Sequence, residues 1–248
     1  MDINLFDYYL PEELIAQFPC KKRDECRMMA INKDEKSFED KHFFDIQNYF
    51  KKGDVLVRNN TKVIPARLFA TKEGTGAKVE VLLLKDLGDD VYECLCGNAK
   101  TIKCGTVLHF KNDILIADCI KVLDEGIRHL HFKYKGIFLE ELDKIGLMPL
   151  PPYIHKQVDD NNDYQTVYAK VSGSAAAPTA GFHFTDELLK KIEEIGVEIV
   201  DITLNVGLGT FRPVKVQDTK DHVMHSEYFE MSSDAAKILN KAKKENRG

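Results

Sequence analysis

The stretch VYECLCGNAKTIKCGTVLHFKNDILIADCIKVLDEGIRHLHFKY, residues 91–134, decides the fold. Short β-type runs, Val91–Cys96, Thr106–Phe110, Ile114–Val122 and Arg128–Tyr134, alternate with breakers at Gly97-Asn98, Gly105, Asn112-Asp113 and Asp124 to Gly126. In the last run Leu130, Phe132 and Tyr134 share one face of a strand. His129, His131 and Lys133 share the other, expected to face solvent. Reading upstream, Val55–Val57, Val63–Phe69 and Lys78–Leu84 continue the pattern, punctuated by Gly74, Gly76 and Gly88 to Asp90. Many short strands at this spacing predict a small antiparallel barrel.

The flanks change character. Pro11 to Phe18 reads as a short amphipathic helix, with Glu12 and Glu13 at its positive end, Leu14, Ile15 and Phe18 as its apolar face, and Pro19 as its stop. Ile137–Ile145 reads as a helix stopped by Gly146. MPLPPYI, Met148–Ile154, is a stiff extended connector. Thr185 caps a helix whose buried stripe is Leu188, Leu189, Ile192 and Ile195, with Gly196 as its end. Val197–Leu204 is a strand suited to the middle of a sheet, and Ser232 or Ser233 caps a last helix. The fold class expected is mixed α/β. A barrel-like α/β domain built from both chain ends, residues 1–62 and 147–248, carries an inserted all-β barrel, residues 63–146. Lys241–Gly248, KAKKENRG, is read as a helix closing at a C-cap glycine where a further strand would follow. A missing C-terminal part is therefore expected, with oligomerisation through an exposed sheet edge or reduced stability as its consequence.

A net charge of −5 over 248 residues gives no global basic signature, so a nucleic-acid partner would have to use a local patch. Lys21-Lys22-Arg23, Lys51-Lys52 and Lys190-Lys191 are such groups, or solvated helix ends and turns. Of the six cysteines, Cys94 and Cys96 fall on one strand face. No C-x-x-C pair occurs, so reduced, partly buried thiols are expected rather than a metal site. No apolar stretch nears membrane-spanning length and no signal-peptide pattern opens the chain, which predicts a cytoplasmic protein without a membrane partner.

Three segments carry candidate chemistry. In GDVLVRNNTKVIPARL, Gly53–Leu68, a loop groups Arg58, Asn59, Asn60 and Thr61, with Arg67 on the next strand. These either hold a carboxylate, phosphate or base edge, or form a polar turn. In GSAAAPTAGFHFT, Gly173–Thr185, the small residues, among them Ala175, Ala176, Pro178, Thr179 and Gly181, would let a ligand approach the backbone. His183, between Phe182 and Phe184, is a general acid or base or a half-buried structural histidine. The third segment joins Asn205, Gly207, Gly209 and Thr210 with HVMHSE, His222–Glu227. Its paired glycines fit close approach of a nucleotide or sugar. His222, His225 and Glu227 suit acid–base or substrate contacts better than a metal, because no second ligand group has zinc-like spacing.

YQTVYA (Tyr164–Ala169), GSAAAPTAGFHFT, ITLNVGLGTFRPV (Ile202–Val214), HVMHSE, DYYLPEELIAQFP (Asp7–Pro19) and GDVLVRNNTKVIPARL together resemble the blocks of the S-adenosylmethionine:tRNA ribosyltransferase-isomerase family. The resemblance is collinear over almost the whole chain and covers about the first two-thirds of a family member. It implies an enzyme of queuosine biosynthesis that moves and isomerises the ribosyl part of S-adenosylmethionine onto a 7-aminomethyl-7-deazaguanine in the tRNA wobble position. The product would be epoxyqueuosine tRNA, with adenine and methionine released. It further implies S-adenosylmethionine as ribosyl donor, tRNA as partner, no metal, and a cytoplasmic location. On it, His183, His225, Glu227 and His222 become acid–base candidates. Arg58 or Arg67 would hold the methionine carboxylate or a tRNA phosphate, with Asn59 and Asn60 beside them. The Ala175–Gly181 and Gly207–Thr210 loops would cradle the adenosyl group. Asn205 stands where the family usually has His, and Phe182 where it commonly has Leu. The alternative reading is a truncated, non-catalytic tRNA- or nucleotide-binding fragment.

Overall fold

Antiparallel pairing of the predicted short strands closes a barrel in the middle of the chain. The computed structural model describes residues 1–151, 153–155, 161–207, 214–224 and 226–248. Ahead of the barrel lie a hairpin of β1 (Arg27–Asn32) and β2 (Ser37–His42), then β3 (Val55–Asn59) and β4 (Thr61–Val63). The barrel strands are β5 (Arg67–Lys72), β6 (Lys78–Asp86), β7 (Val91–Cys96), β8 (Val107–Phe110), β9 (Leu115–Val122) and β10 (Ile127–Lys133). They close in the order β10-β7-β6-β5-β8-β9, every pair antiparallel. Closure leaves the barrel without a free edge. Bulges between His129 and Leu130 and between Leu83 and Lys85 add the bend that closure needs.

Alternation fills the barrel. Leu68, Val81, Leu108, Phe110, Leu115, Leu130 and Phe132 are essentially inaccessible, and Cys94, Cys96 and Cys119 lie among them. Each large apolar side chain so buried contributes about 1.5–3 kcal/mol. Burial pushes the Cys94 thiol well up and the Cys96 thiol to about 12, which keeps both protonated and inert. The turns use the expected residues: Asn98 and Asn112 adopt left-handed φ of 52° and 55°. His129 and His131 occupy the outer face as expected but are half-buried, and His129 Nε2 sits 3.6 Å from Glu93 Oε2.

Arg128 is the exception in the interior. It is 5% exposed, on the face of β10 that carries Leu130 and Phe132. Its guanidinium donates to the carbonyls of Ile102 (2.9 Å), Leu123 (3.0 Å), Ile127 (2.6 Å) and Ala99 (2.5 Å). A planar cation with five donors spans several turn carbonyls at once.

Helix α1 (Phe138–Ile145) packs Phe138 and Leu142 into the barrel core, with the Phe138 ring 4.7 Å from Tyr92 and 5.3 Å from Phe132. Gly146 stops it, but not by a left-handed turn: its φ is −79°. A Cβ there would lie 2.0 Å from the Pro65 carbonyl oxygen, so glycine is required by close approach. Gly146→Ala is expected to destabilise by about 2–3 kcal/mol, because backbone must shift; chemical denaturation measures it, and an unchanged midpoint would refute the contact.

The remaining elements are β11 (Val171–Ser174), α2 (Asp186–Ile195), β12 (Glu198–Asn205), β13 (Tyr228–Glu230) and α3 (Ser233–Lys244). β12 runs parallel to β3 and β11 parallel to β4, so segments before and after the barrel pair with one another. β13 pairs antiparallel on the far side of β12, which makes β12 central as its apolar run predicts. Thr185 Oγ1 accepts from Leu188 N at 3.1 Å and Gly196 closes α2 at φ 97°. Ser232 caps α3.

Three local readings are corrected, and one hairpin is added. Residues 11–18 form only the 3₁₀ turn Glu12–Leu14, with Leu14 71% exposed. A segment that short gains too little without a packed face to pay for nucleation. Val63–Phe69 is not one strand: Pro65 lacks an N–H and separates β4 from β5. The β1–β2 hairpin, outside the predicted elements, leaves Met29, Ile31 and Phe38 exposed and has no fully buried residue. Finally, α3 ends at Lys244, and Gly248 caps nothing; its carbonyl accepts from Val55 N (2.9 Å) at the start of β3.

Candidate functional site

Polar side chains collect where β3 and β4 meet β11 and β12. In-register pairing sets Arg58 opposite Asp201. Arg58 Nε donates to Asp201 Oδ1 at 2.5 Å, and its guanidinium lies 4.5 Å from the centre of the Tyr168 ring. Lys170 Nζ stands 3.5 Å from Asp201 Oδ2. Arg58 and Asp201 are only 17% and 23% exposed, so this pair is less screened than a surface ion pair. Burial pushes the Tyr168 phenol up while the Arg58 charge opposes that rise. Asp201, Lys170 and Tyr168 were not singled out from sequence, because nothing local marks a residue that acts across two strands.

Asn59 and Asn60 bond neighbouring strands. The Asn59 side chain donates to Leu204 O (2.8 Å) and accepts from Leu204 N (3.0 Å) and Thr61 N (3.1 Å), stapling β3 to β12. Asn60 Oδ1 accepts from Thr203 Oγ1 at 2.7 Å. Neither residue adopts a left-handed φ. Arg67 stands apart on the barrel wall, paired with Glu80 (2.7 Å) at about two-fifths exposure.

The small residues of 173–185 serve the chain's own packing first. Ser174, Ala175, Ala176 and Ala177 are buried. Ser174 Oγ donates to Ala176 O (2.6 Å) and accepts from Val206 N (2.9 Å). Gly173, at φ +148°, lies against Asn205: a Cβ there would fall 2.9 Å from Asn205 Nδ2. Asn205 Oδ1 accepts from Thr61 Oγ1 at 2.8 Å. At Gly181 a Cβ would meet the Tyr168 hydroxyl at 2.3 Å and Thr166 Cγ2 at 2.8 Å. Neighbouring side chains thus approach Gly173 and Gly181 closely. Ser172, Gly173 and Ala175 do border a crevice of about 130 Å³ against Leu84, Lys85 and Asp86 of β6. Pro178 is half-buried and Thr179 exposed.

His183 ends the 3₁₀ turn Thr179–His183. It is half-buried, its ring 5.1 Å from Phe43, and among the described residues its nitrogens have no hydrogen-bond partner. Phe184 anchors the turn edge-on against Phe43 at 4.9 Å. Glu227 Oε1 accepts from Gly207 N at 2.8 Å, joining the two parts of the third predicted segment. His222 is half-buried after the turn Thr219–Asp221. Gly209, Thr210 and His225 lie outside the described residues.

The N-terminal segment straps this region. Arg23 donates to the carbonyls of Gln165 (2.6 Å) and Asn162 (2.8 Å), so it is a clamp and not a free phosphate contact. Lys22 pairs with Glu25 at 2.9 Å. Gln17 donates to Tyr153 O (2.9 Å) and accepts from His155 N (2.8 Å). Beneath this strap lies an apolar cleft of about 200 Å³ between residues 16–19, Leu150–Pro151, Tyr153–Ile154, Tyr164 and the Thr179–Phe182 turn. Tyr164 and Thr166 bury hydroxyls that have no partner among the described residues.

With that geometry in place, the comparisons are specific. A family model described as "Queuosine biosynthesis protein" matches residues 3–248. The S-adenosylmethionine:tRNA ribosyltransferase-isomerase of Staphylococcus haemolyticus is 54% identical over 245 residues, 99% of this chain and 72% of that protein. The protein of the same name from Staphylococcus epidermidis is 54% identical over 243 residues, covering 98% and 71%. A crystal structure of S-adenosylmethionine tRNA ribosyltransferase from Thermotoga maritima matches with a TM-score of 0.41 and 28% identity, over 98% of this chain and 66% of that one.

Proposed function

Since the chain belongs to the queuosine biosynthesis protein family, we propose that it is an S-adenosylmethionine-dependent tRNA ribosyltransferase-isomerase. It transfers and isomerises the ribosyl moiety of S-adenosylmethionine onto the 7-aminomethyl-7-deazaguanine at the tRNA wobble position, giving epoxyqueuosine tRNA and releasing adenine and methionine. The observation that carries this reading is the family match over residues 3–248. The same match disfavours the alternative of a non-catalytic binding fragment.

The reaction needs a base for a ribose 5′ hydrogen, assistance to the departing adenine, and a neutral attacking amine. His183 supplies an imidazole with no hydrogen-bond partner among the described residues, suited to one of these proton transfers. Glu227, tied to the Gly207 loop, and His222 are the further acid–base candidates. Arg58, oriented by Asp201 and Tyr168, keeps donors for the methionine carboxylate. Arg67 belongs to the barrel wall, where a tRNA phosphate is its fitting partner. The domain division 1–62 with 147–248 around 63–146, a cytoplasmic location, and oligomerisation through a strand edge such as that of β3 belong to the same proposal. Incubating the protein with S-adenosylmethionine and precursor-containing tRNA is expected to release adenine and add a ribosyl-derived mass to the tRNA. No adenine release from folded protein would refute the activity.

A further inference from the structure

We propose that Cys20 and Cys26 form a peroxide-responsive dithiol site, which oxidation joins into a disulfide across the loop that clamps the N-terminal strap. The site has no part in ribosyl transfer and stands or falls without that reading. Three observations carry it. The Cys26 sulfur is hydrogen-bonded to the Cys20 thiol and to the Cys20 backbone N–H, so the two side chains converge rather than point apart. The chain between them allows this: Arg23–Glu25 forms a 3₁₀ turn, closed by Glu25 N on Lys22 O at 3.2 Å, which brings Cys26 back to Cys20. The two thiols also differ in access. Cys20 is exposed and Cys26 half-buried, whereas Cys94, Cys96 and Cys119 are enclosed by the barrel. Cys104 is exposed too, but its cysteine neighbour Cys119 is only 1% exposed.

That difference sets the order of reaction. Hydrogen peroxide meets the exposed Cys20 first. The Cys20 sulfur takes one peroxide oxygen: an S–O bond forms, the O–O bond breaks, and water leaves with the thiol proton. Sulfur is oxidised to sulfenic acid and the peroxide is reduced. Cys26 then attacks that sulfur. The S–S bond forms, the S–O bond breaks, and a second water carries off the Cys26 proton. Burial, and after it the contact with Cys20, pushes the Cys26 thiol up, which leaves it protonated and slow toward peroxide itself. The ring so closed, residues 20–26, contains the clamp. Arg23 donates to the carbonyls of Gln165 and Asn162, Asp24 Oδ2 accepts from Thr185 Oγ1 at 3.5 Å, and Cys26 O accepts from Phe43 N at 2.8 Å. Oxidation therefore tightens the strap on residues 162–185 rather than releasing it. In a reducing compartment such a bond is transient, as a sensing site requires.

Hydrogen peroxide added to the folded protein is expected to remove two of its six thiols from titration. Trypsin cuts after Lys21, Lys22 and Arg23, inside the ring, so the product is a pair of peptides joined by a Cys20–Cys26 bond that dithiothreitol separates. The melting temperature is expected to rise by about 5 °C on oxidation, because the closed loop restricts the unfolded chain, and to fall back on reduction. Cys26→Ser is expected to melt like the reduced wild type, to show no rise with peroxide, and to leave a Cys20 sulfenic acid that dimedone traps. Cys20→Ser should leave Cys26 unoxidised at the same dose. Linkage to Cys104 or Cys119 instead, loss of thiols only after denaturation, or wild-type Cys20 carried on to sulfinic acid without a disulfide overturns the proposal. A Cys20–Cys26 bond that forms without raising the melting temperature overturns the tightening of the strap.

Discussion

His183→Ala is expected to slow ribosyl transfer by about 10²–10⁴-fold, the usual contribution of a positioned acid or base, while the protein melts at nearly its original temperature. The two parts have separate reasons. A histidine that serves structure normally spends its ring nitrogens on neighbouring groups. His183 spends neither on a described residue, so its removal strands no donor or acceptor. What it loses is a tilted ring contact with Phe43, and Phe43 keeps its edge-on packing on Phe184. Steady-state kinetics should place the loss in kcat rather than KM, since a proton transfer is realised in the transition state. Near-full turnover would remove His183 from the acid–base set. A collapse in melting temperature would return it to a structural role.

Arg128→Ala is expected to be the most destabilising single change in the barrel, at about 3–5 kcal/mol, or a fall in Tm of roughly 10 °C. Truncation removes the guanidinium from the carbonyls of Ala99, Ile102, Leu123 and Ile127 in a place that solvent scarcely reaches; Ala99 and Ile127 keep a backbone donor each, from Ile102 N and Leu123 N. Arg128→Lys should recover less than half of the loss, because one ammonium cannot reach carbonyls that the planar fork spans. The four acceptors come from the turn after β7, the segment before β8, and the β9–β10 connection together with β10 itself. The arginine therefore ties together parts of the barrel that do not pair there. Urea denaturation gives both numbers. A change within about 1 kcal/mol for Arg128→Ala would show that water replaces the guanidinium.

Arg128 also marks where sequence reading thins out. Period-two alternation places it on the inner face with Leu130 and Phe132, but alternation says nothing of how a charge survives there. The answer lies in carbonyls up to 29 residues away. The same limit governs the candidate site. Arg58 is visible as a charged residue at a strand end; its partners are not, because Asp201 meets it only through the parallel pairing of β3 with β12 and Tyr168 reaches it from the segment before β11. The small residues of 173–185 were legible as a place of close approach, and close approach is what Gly173 and Gly181 show. Which atoms approach was not legible, and those found are Asn205, Tyr168 and Thr166.

By itself, the sequence determined the central barrel, its strand faces and turns, the caps of α2 and α3, and the family. These follow from periodicity, from turn residues that favour left-handed φ, and from blocks long enough to be specific. Only the tertiary structure decided that Pro65 breaks a predicted strand, that residues 11–18 remain a strap rather than a helix, and that Asn59 and Asn60 staple the sheet. It alone buried the Tyr164 hydroxyl without a partner among the described residues. Each of these depends on which distant groups satisfy or abandon a polar atom, and that choice is made by packing between segments far apart in the chain.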